Sequence, residues 1–524
     1  MSLSPSSPRA CLAVLLCAAL TACGGGSADS AYPNPPVPPN ETTALPIPPG
    51  QIERAVAQLD GLADKVMAQS GIPGMAVAVV QGGRTVYARG FGVRAAGSPL
   101  KVDADTVFQL ASMSKPVGAT VVASQVGAGR VDWDTPVQTW LPDFELVDPY
   151  VSRQLTIGDL YAHRSGLPDH AGDLLEDLGY DRAEVLRRLR YLPLQPFRIT
   201  YKYTNFGLTA AAQAVAAAAG SDWETLSQQA IYQPLGMAST SSRYADFAAN
   251  PNHASGHIES GGKFVVGPPR QPDAQSPAGG VSSSVNDVAK WMAFVLARGA
   301  VGGRQLVPAD ALLPALSPQM VSSPPASSTG RAGFYGYGFN VGTSAAGRVT
   351  LSHSGAFLMG AATAFTLIPS ADVGIVVLTN AWPIGVPETL TAQFSDLVQF
   401  GSIQRDWWAL ASASFAPYHL PAGSLVGVPR PEHPLPPAPL ASYAGTYQND
   451  YYGPLQVVEN GGALELRLGP TPVVLPLTHW DGDVFTFMLD GENAAAGTIS
   501  KASFAAGQVV LEYYDAEGLG TFRR

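Results

Sequence analysis

The sequence predicts an α/β (α+β) architecture: an antiparallel sheet flanked by helices, an inserted helical subdomain, and a small all-β domain at the C-terminus. Three observations carry this. Strand-like runs lie at both ends of a central region, around 75–90 and 349–379, with helix- and loop-rich sequence between them. The final stretch of about ninety residues holds short β-branched runs separated by turns. Between the two lies "VPRPEHPLPPAP" (428–439), a stiff polyproline break.

The N-terminus reads as a targeting device. "MSLSPSSPRACLAVLLCAALTACGGGS" has a positive charge at Arg9, an apolar core from Cys11 to Leu20, and then small residues. Its end, Leu20-Thr21-Ala22-Cys23, resembles a bacterial lipoprotein box, so residues 1–22 are expected to leave and Cys23 to be lipidated. An ordinary secretory signal is the alternative. Cys11 and Cys17 would leave with the leader, making Cys23 the only cysteine of the mature chain and excluding an internal disulfide. Several acyl chains on one residue give stable anchoring where a single chain would not. Gly24 after the cysteine points to the outer membrane, facing the periplasm. Residues 23–50 form a Gly/Ser- and then Pro-rich tether that cannot bury a core.

Residues 51–425 form the main domain. Ile52, Val56, Leu59, Leu62 and Val66 fall at helical spacing, predicting an amphipathic first helix. "MAVAVV" and "RTVYARG" flank Gln81-Gly82-Gly83, a turn suited to a hairpin. "VGATVVASQV" supports a helix ending near Gly127, and Ser221 with Glu224 has capping-box spacing at the start of another. "RVTLSHSG", "ATAFTLIP" and "DVGIVVLTN" are β-branched strands, and "ETLTAQFSDLVQF" is a closing helix. After the 426–439 linker, residues 440–524 contain "LELRL", "VFTFM" and "VVLEYY", with a turn at Asn460-Gly461-Gly462. They predict a small antiparallel barrel or sandwich.

Charge narrows the function classes. A net charge of −10 with seven lysines supplies no basic run to neutralise phosphates, so no nucleic-acid partner is expected. His253 and His257 are four apart, but "NHASGHIESGG" is too rich in Gly and Ser for a helix, and no metal or other cofactor is expected. Trp407 and Trp408 read as packing residues on a helix.

Ser-x-x-Lys occurs three times. Ser98/Lys101 lies in a Gly/Pro-flanked loop and Ser260/Lys263 in a glycine turn, so neither presents both side chains on a helix. Ser112 and Lys115 sit between an apolar strand-like run and a helix. There they share a face about 5–6 Å apart at Cβ, with the serine at the positive end of the helix dipole. Tyr203-Thr204-Asn205 puts a phenol and an amide on one side of an extended segment. A lysine ammonium beside Tyr203 favours its phenolate, and Asn205 can hold Lys115 or a substrate carbonyl. His353-Ser354-Gly355 ends a strand, where a glycine lets a substrate backbone approach. The N–H groups of Ser112 and Ala356 can pair as oxyanion donors. Tyr32, Tyr447 and His170-Ala171-Gly172 match the second and third patterns, but they lie in the tether, the C-terminal domain and a loop.

In this order, Ser112-Met-Ser-Lys115, Tyr203-Thr-Asn205 and His353-Ser-Gly355 resemble the three signature motifs of the penicillin-recognising serine hydrolases. The nearest group is the class C β-lactamases, D-peptidases and related esterases. The resemblance covers about 52–400. "TIGDLYAHRSGLPDH" is similar to the family's "LLTHTSGLP" segment, "IYQPLGM" to its "PLGM" turn, and "SPAGGVSSSVNDVAKWM" to its "PAGG" stretch. It implies a β-lactamase/transpeptidase-like fold, with His163 in a structural segment. Ser112 becomes the acylated nucleophile and Lys115 with Tyr203 the proton relay; Asn205, His353 and Gly355 bind substrate. Whether Lys115 or Tyr203 takes the serine proton is left open. The family's β-lactamases usually carry Lys where His353 stands, so the histidine favours D-peptidase- or esterase-like activity over antibiotic hydrolysis. "LASYAGTYQNDYYGPLQVVENGGALELRLG" resembles the lipocalin-like β-domain of some relatives.

Two classes of function follow. The first is an envelope serine hydrolase acting through an acyl-enzyme on D-amino-acid peptides or small esters, with β-lactamase as an enzymatic alternative. The second is a non-catalytic lipoprotein that binds peptidoglycan or another ligand.

Overall fold

The computed structural model describes residues 45–524. The leader, Cys23 and all but the end of the tether lie outside the described residues. Within them no helix is long and apolar enough to cross a membrane.

The expected first helix is two: α1 (Gln51–Val56) and α2 (Leu59–Ser70). At the break the N–H of Gln58 donates to Ala55, three residues back, tightening the chain by part of a turn. Ala55, Leu59, Ala63 and Val66 nevertheless make one buried stripe. The hairpin of β1 (Gly74–Gln81) and β2 (Arg84–Gly92) turns at Gly82 and Gly83, both at positive φ (58° and 71°). Two consecutive positive φ values suit the right-handed strand twist and select glycine.

These strands join β3 (Met320–Ser323), β4 (Gly333–Tyr335), β5 (Asn340–Thr343), β6 (Val349–Phe357), β7 (Ala361–Ile368) and β8 (Val373–Thr379). The sheet order is β2-β1-β8-β7-β6-β5-β4-β3, with every pairing antiparallel. The predicted sheet with an inserted helical section is therefore the observed one. Met75, Val77 and Val79 of β1 face α1, α2 and the closing helix α6 (Val386–Phe400) through Leu390, Phe394 and Leu397. Ala76, Ala78 and Val80 face the opposite core, built on α3 (Ser114–Gly127), α4 (Asn205–Ala219) and α5 (Val285–Leu296). Burial on both faces explains why β1 reads as a continuous apolar run rather than an alternating one. Asp222, not Ser221, caps the helix at Trp223–Ser227, accepting from the Thr225 N–H at 2.8 Å.

The C-terminal domain has eight strands in sequential order, from Gly445–Tyr447 to Thr521–Arg523. Gln448 and Arg523 exchange backbone hydrogen bonds beside the first strand, so the sheet curls into a nearly closed barrel. Near-closure protects the edges that a small open sheet would leave unpaired.

Candidate active site

The turn that carries Ser112 is held from below by the sheet. Phe108–Gln109 pairs with Ser282–Ser283, after which Ala111 takes φ 47° and begins a single 3-10 turn that runs into α3. A non-glycine residue at such a φ stores strain, here immediately before Ser112. Ser114 ties the turn down: its hydroxyl donates to the Ala111 carbonyl at 2.6 Å and accepts from the Val281 N–H at 2.9 Å. Thr363 on β7 donates to the Leu110 carbonyl at 2.8 Å.

Gly355 has a different purpose from the one its strand position suggested. A Cβ there would lie 2.1 Å from the Leu110 oxygen and 3.0 Å from the Ser112 nitrogen. The missing side chain makes room for the backbone of the Ser112 turn, not for a substrate backbone.

Lys115 is fully buried in the first turn of α3. Its Nζ donates to Ser112 Oγ at 3.1 Å, Asn205 Oδ1 at 2.7 Å and the Ala278 carbonyl at 3.1 Å. Burial lowers its pKa to about 7, partly offset by the negative charge of Asp173. Asn205 opens α4 instead of ending an extended segment. One of its amide N–H groups donates to Asp173 Oδ2 at 2.8 Å, and the same carboxylate oxygen lies 2.9 Å from His170 Nδ1. That contact is the first cause of a raised His170 pKa. Asn205, expected to bind substrate, is thus largely committed to holding the amine. Asp173 and Ser114 escaped sequence reading because nothing local marks them; each acts through a residue distant in the chain.

The Tyr203 ring lies 4.5 Å from Lys115 Nζ. Burial raises the phenol's pKa well above 10, with a hydrogen bond to Ser112 working the other way. The expectation of a favoured phenolate is therefore corrected: the buried group keeps its proton. His163, read as structural, supports this segment. It lies 4.5 Å from the Tyr203 ring, and its Nδ1 accepts from the Thr204 N–H at 3.2 Å.

His353 is held at both nitrogens. Nδ1 lies 2.6 Å from the Ser354 carbonyl, which can only accept, so that nitrogen carries the proton. Nε2 then accepts from Tyr335 Oη at 2.8 Å. Burial, with the charge of Lys115, lowers the histidine's pKa to about 3, so it is neutral at any physiological pH. Tyr335 is a third residue that sequence reading missed.

Beyond Ser352, β6 has no partner on its β5 side among the described residues, so the edge at 353–357 opens onto the cleft. Ala356 lies on this stretch, with the Ser112 nitrogen against neighbouring Gly355. The cleft has a volume of about 750 Å³. Its apolar wall includes Leu174, Tyr201, Phe357, Phe415, Tyr418 and Leu420, and the C-terminal barrel adds Tyr451, Glu492 and Tyr513. Among the described residues, Arg270 is the only lysine or arginine lining it. Arg270 is paired with Glu176 at 2.5 Å and lies 3.9 Å from Glu492. Burial raises the Glu492 pKa to about 8 against the opposing charge of Arg270.

The rejected motif copies fall elsewhere. Ser260 and Lys263 sit on an exposed hairpin, Ser98 and Lys101 in a surface loop, and Tyr447 in the barrel; Tyr32 lies outside the described residues. His170, in contrast, lines the cleft. His257 accepts from the Ala96 N–H and bonds the Asn380 carbonyl, whereas His253 contacts the Asn250 carbonyl.

Comparison with known proteins gives the following. The family described as Beta-lactamase matches residues 59–399, and a domain of unknown function, DUF3471, matches 429–510. An unguisins hydrolase of Aspergillus violaceofuscus is 27% identical over 485 residues, covering 83% of this chain and 82% of its own. Esterase EstB of Burkholderia gladioli is 32% identical over 201 residues, 34% of this chain and 50% of the esterase. The D-alanyl-D-alanine-carboxypeptidase/endopeptidase AmpH of Escherichia coli is 25% identical over 239 residues, 45% of this chain and 60% of its own. The octameric penicillin-binding protein homologue from Pyrococcus abyssi shares the fold at TM-score 0.59 and 20% identity, over 87% of this chain and 98% of its own. A class C β-lactamase from Rhodobacter sphaeroides does so at 0.53 and 22%, over 65% of this chain and 98% of its own.

Proposed function

The chain belongs to the Beta-lactamase family and is a hydrolase of that family; from that premise we propose that it cleaves amide or ester bonds through an acyl-enzyme on Ser112. One observation carries this reading: a fully buried amine 3.1 Å from Ser112 Oγ, with its pKa lowered to about 7.

An amine of that pKa is substantially neutral at pH 7 and can take the serine proton, so Lys115 is the base. Ser112 Oγ then attacks the carbonyl carbon. The oxygen charge that develops is met by the N–H groups of Ser112 and Ala356. The carbonyl re-forms as the bond to the leaving group breaks, and the leaving nitrogen or oxygen takes a proton. Tyr203, a neutral phenol beside both Ser112 and Lys115, is placed to donate that proton and to regain one from Lys115. Water next attacks the acyl carbon, gives its proton to Lys115, and Ser112 leaves protonated.

The substrate reading follows from charge. His353 is neutral and doubly hydrogen-bonded, and Arg270 is already engaged by Glu176 at 2.5 Å, with Glu492 3.9 Å away. Neither is free to bind a carboxylate beside the scissile bond. This supports D-amino-acid peptides cleaved away from a free carboxylate, or small esters, over β-lactams. The curated relatives include an esterase and a protein with D-alanyl-D-alanine endopeptidase as well as carboxypeptidase activity, and the ester and endopeptidase reactions fall in the same range. The lipoprotein box at Cys23 supports action at the cell envelope, on a lipid anchor. Loss of radiolabelled palmitate incorporation in Cys23→Ala is the corresponding test.

The deciding experiment is a hydrolysis panel with purified protein: D-aminoacyl amides, D-Ala-D-Ala peptides, short nitrophenyl esters and a chromogenic cephalosporin. Turnover of esters or D-aminoacyl amides, lost by at least about 10³-fold in Ser112→Ala, is expected. Efficient turnover of the cephalosporin alone overturns the substrate reading. Turnover that survives Ser112→Ala overturns the nucleophile.

A further inference from the structure

We propose that the C-terminal barrel is a working part of the active site, with Glu492 as a positioning residue that fixes the strand bearing the Ala356 oxyanion donor. The proposal rests on the acyl-enzyme reading above. Glu492 lies in the loop between the barrel strands Val484–Leu489 and Thr498–Ala505. Its carboxylate accepts from two successive backbone N–H groups, Leu358 at 3.0 Å and Met359 at 3.3 Å. These form the turn that joins β6 to β7, two and three residues beyond Ala356.

That end of β6 needs an outside hold. Past Ser352 it is paired only to β7, because β5 ends opposite that residue. A strand end paired on one side has freedom to sway, and an oxyanion hole tolerates only about 0.5 Å of misplacement. The Glu492 carboxylate bridges both orphan donors of the turn, and Arg270 braces it while stacking over the Phe357 ring at 5.1 Å. The barrel also reaches the opposite wall. Tyr451 Oη accepts from the Gly172 N–H at 3.1 Å, between His170 and Asp173, whose carboxylate orients Asn205. One domain therefore grips both walls, each through a bond to the backbone beside a reacting group.

The test uses the full-length protein and the variants Glu492→Ala, Glu492→Gln and Tyr180→Phe. Tyr180 donates to the Tyr452 carbonyl at 2.9 Å, so the last variant loosens a different contact between the barrel and the main domain without touching β6. The readouts are kcat and KM on a short nitrophenyl ester and the affinity of an alkylboronic acid, which mimics the tetrahedral intermediate. Glu492→Ala is expected to lower kcat at least tenfold with KM changed less than threefold, and to weaken the boronic acid by a similar factor. Glu492→Gln, whose amide oxygen still accepts, should lose at least threefold in both. Tyr180→Phe should stay within twofold. If Glu492→Ala does not fold, the near-isosteric Gln variant decides alone. A Gln variant with wild-type kcat and boronate affinity overturns the proposal, as does a Tyr180→Phe loss equal to that of Glu492→Ala. Turnover that survives Ser112→Ala in the otherwise unchanged full-length protein sinks the acyl-enzyme reading instead, so the two failures are told apart.

Discussion

Lys115 illustrates how a residue's chemistry is set by what surrounds it. Removed from water, its amine loses most of its preference for the charged form, and Asp173 restores only part. Because the neutral amine is the active form, kcat is expected to rise with pH through about 7 and level off above it. No inflection is expected near 6.5 from His353, whose pKa of about 3 leaves it neutral throughout. A pH–rate profile checks both. Asp173→Asn removes the charge that raises the lysine's pKa, so the rising limb should move to lower pH. A limb that stays put would remove Asp173 from the electrostatics of the site. Tyr335→Phe should release His353 Nε2 from its only hydroxyl partner and lower kcat by about 10-fold, the size of a typical hydrogen-bond loss.

Elements matter here through where their backbones touch. The nucleophile turn lies on β6 because Gly355 has no side chain, so Gly355→Ala drives a Cβ into the Leu110 carbonyl. Overpacking of this kind costs about 1–3 kcal/mol. The expected outcome is a lower melting temperature and activity reduced by about 10²-fold or more, since the displaced Leu110 carbonyl leads into the turn that carries the Ser112 nitrogen. Activity unchanged in a folded Gly355→Ala protein would show that the turn does not depend on this contact. His353-Ser354-Gly355 was readable as a motif from spacing alone. The partner of its glycine was not, because the Leu110 oxygen is brought there by packing of the Ser112 turn on β6 and β7, segments over 240 positions away.

On the scale of the whole molecule, Arg270 is a hinge of charge between the main domain and the barrel. It faces Glu176 and Glu492, both with raised pKa values from burial, and Asp177 nearby is raised as well. Groups with pKa values raised on folding hold protons that the unfolded chain has released. Their contribution to stability is present below the unfolded pKa, about 4.5 for Glu492, and is lost as pH rises through about 8. Arg270→Ala leaves these carboxylates uncompensated and should cost about 3–5 kcal/mol at alkaline pH. The loss should be smaller at pH 6, where protonation relieves it; urea denaturation at pH 6 and pH 9 measures the difference.

Much was present in the chain before folding. The hairpin at Gln81-Gly82-Gly83, the closing helix at 386–400, the late strands and the Ser112/Lys115 pair all rest on periods of two or about 3.6 residues, or on turn chemistry. These act between near neighbours. The cap at Asp222 instead of Ser221, and the split of the first helix, show the limit of such reasoning to within a residue or two. What tertiary structure alone decided is which buried polar atoms meet. It set Asp173 against Asn205, Tyr335 against His353, and Glu492 of the barrel against Leu358 and Met359. Those pairings, and the protonation states they impose on Lys115, Tyr203 and His353, depend on exclusion of water by packed surfaces far apart in sequence, and no local pattern encodes that.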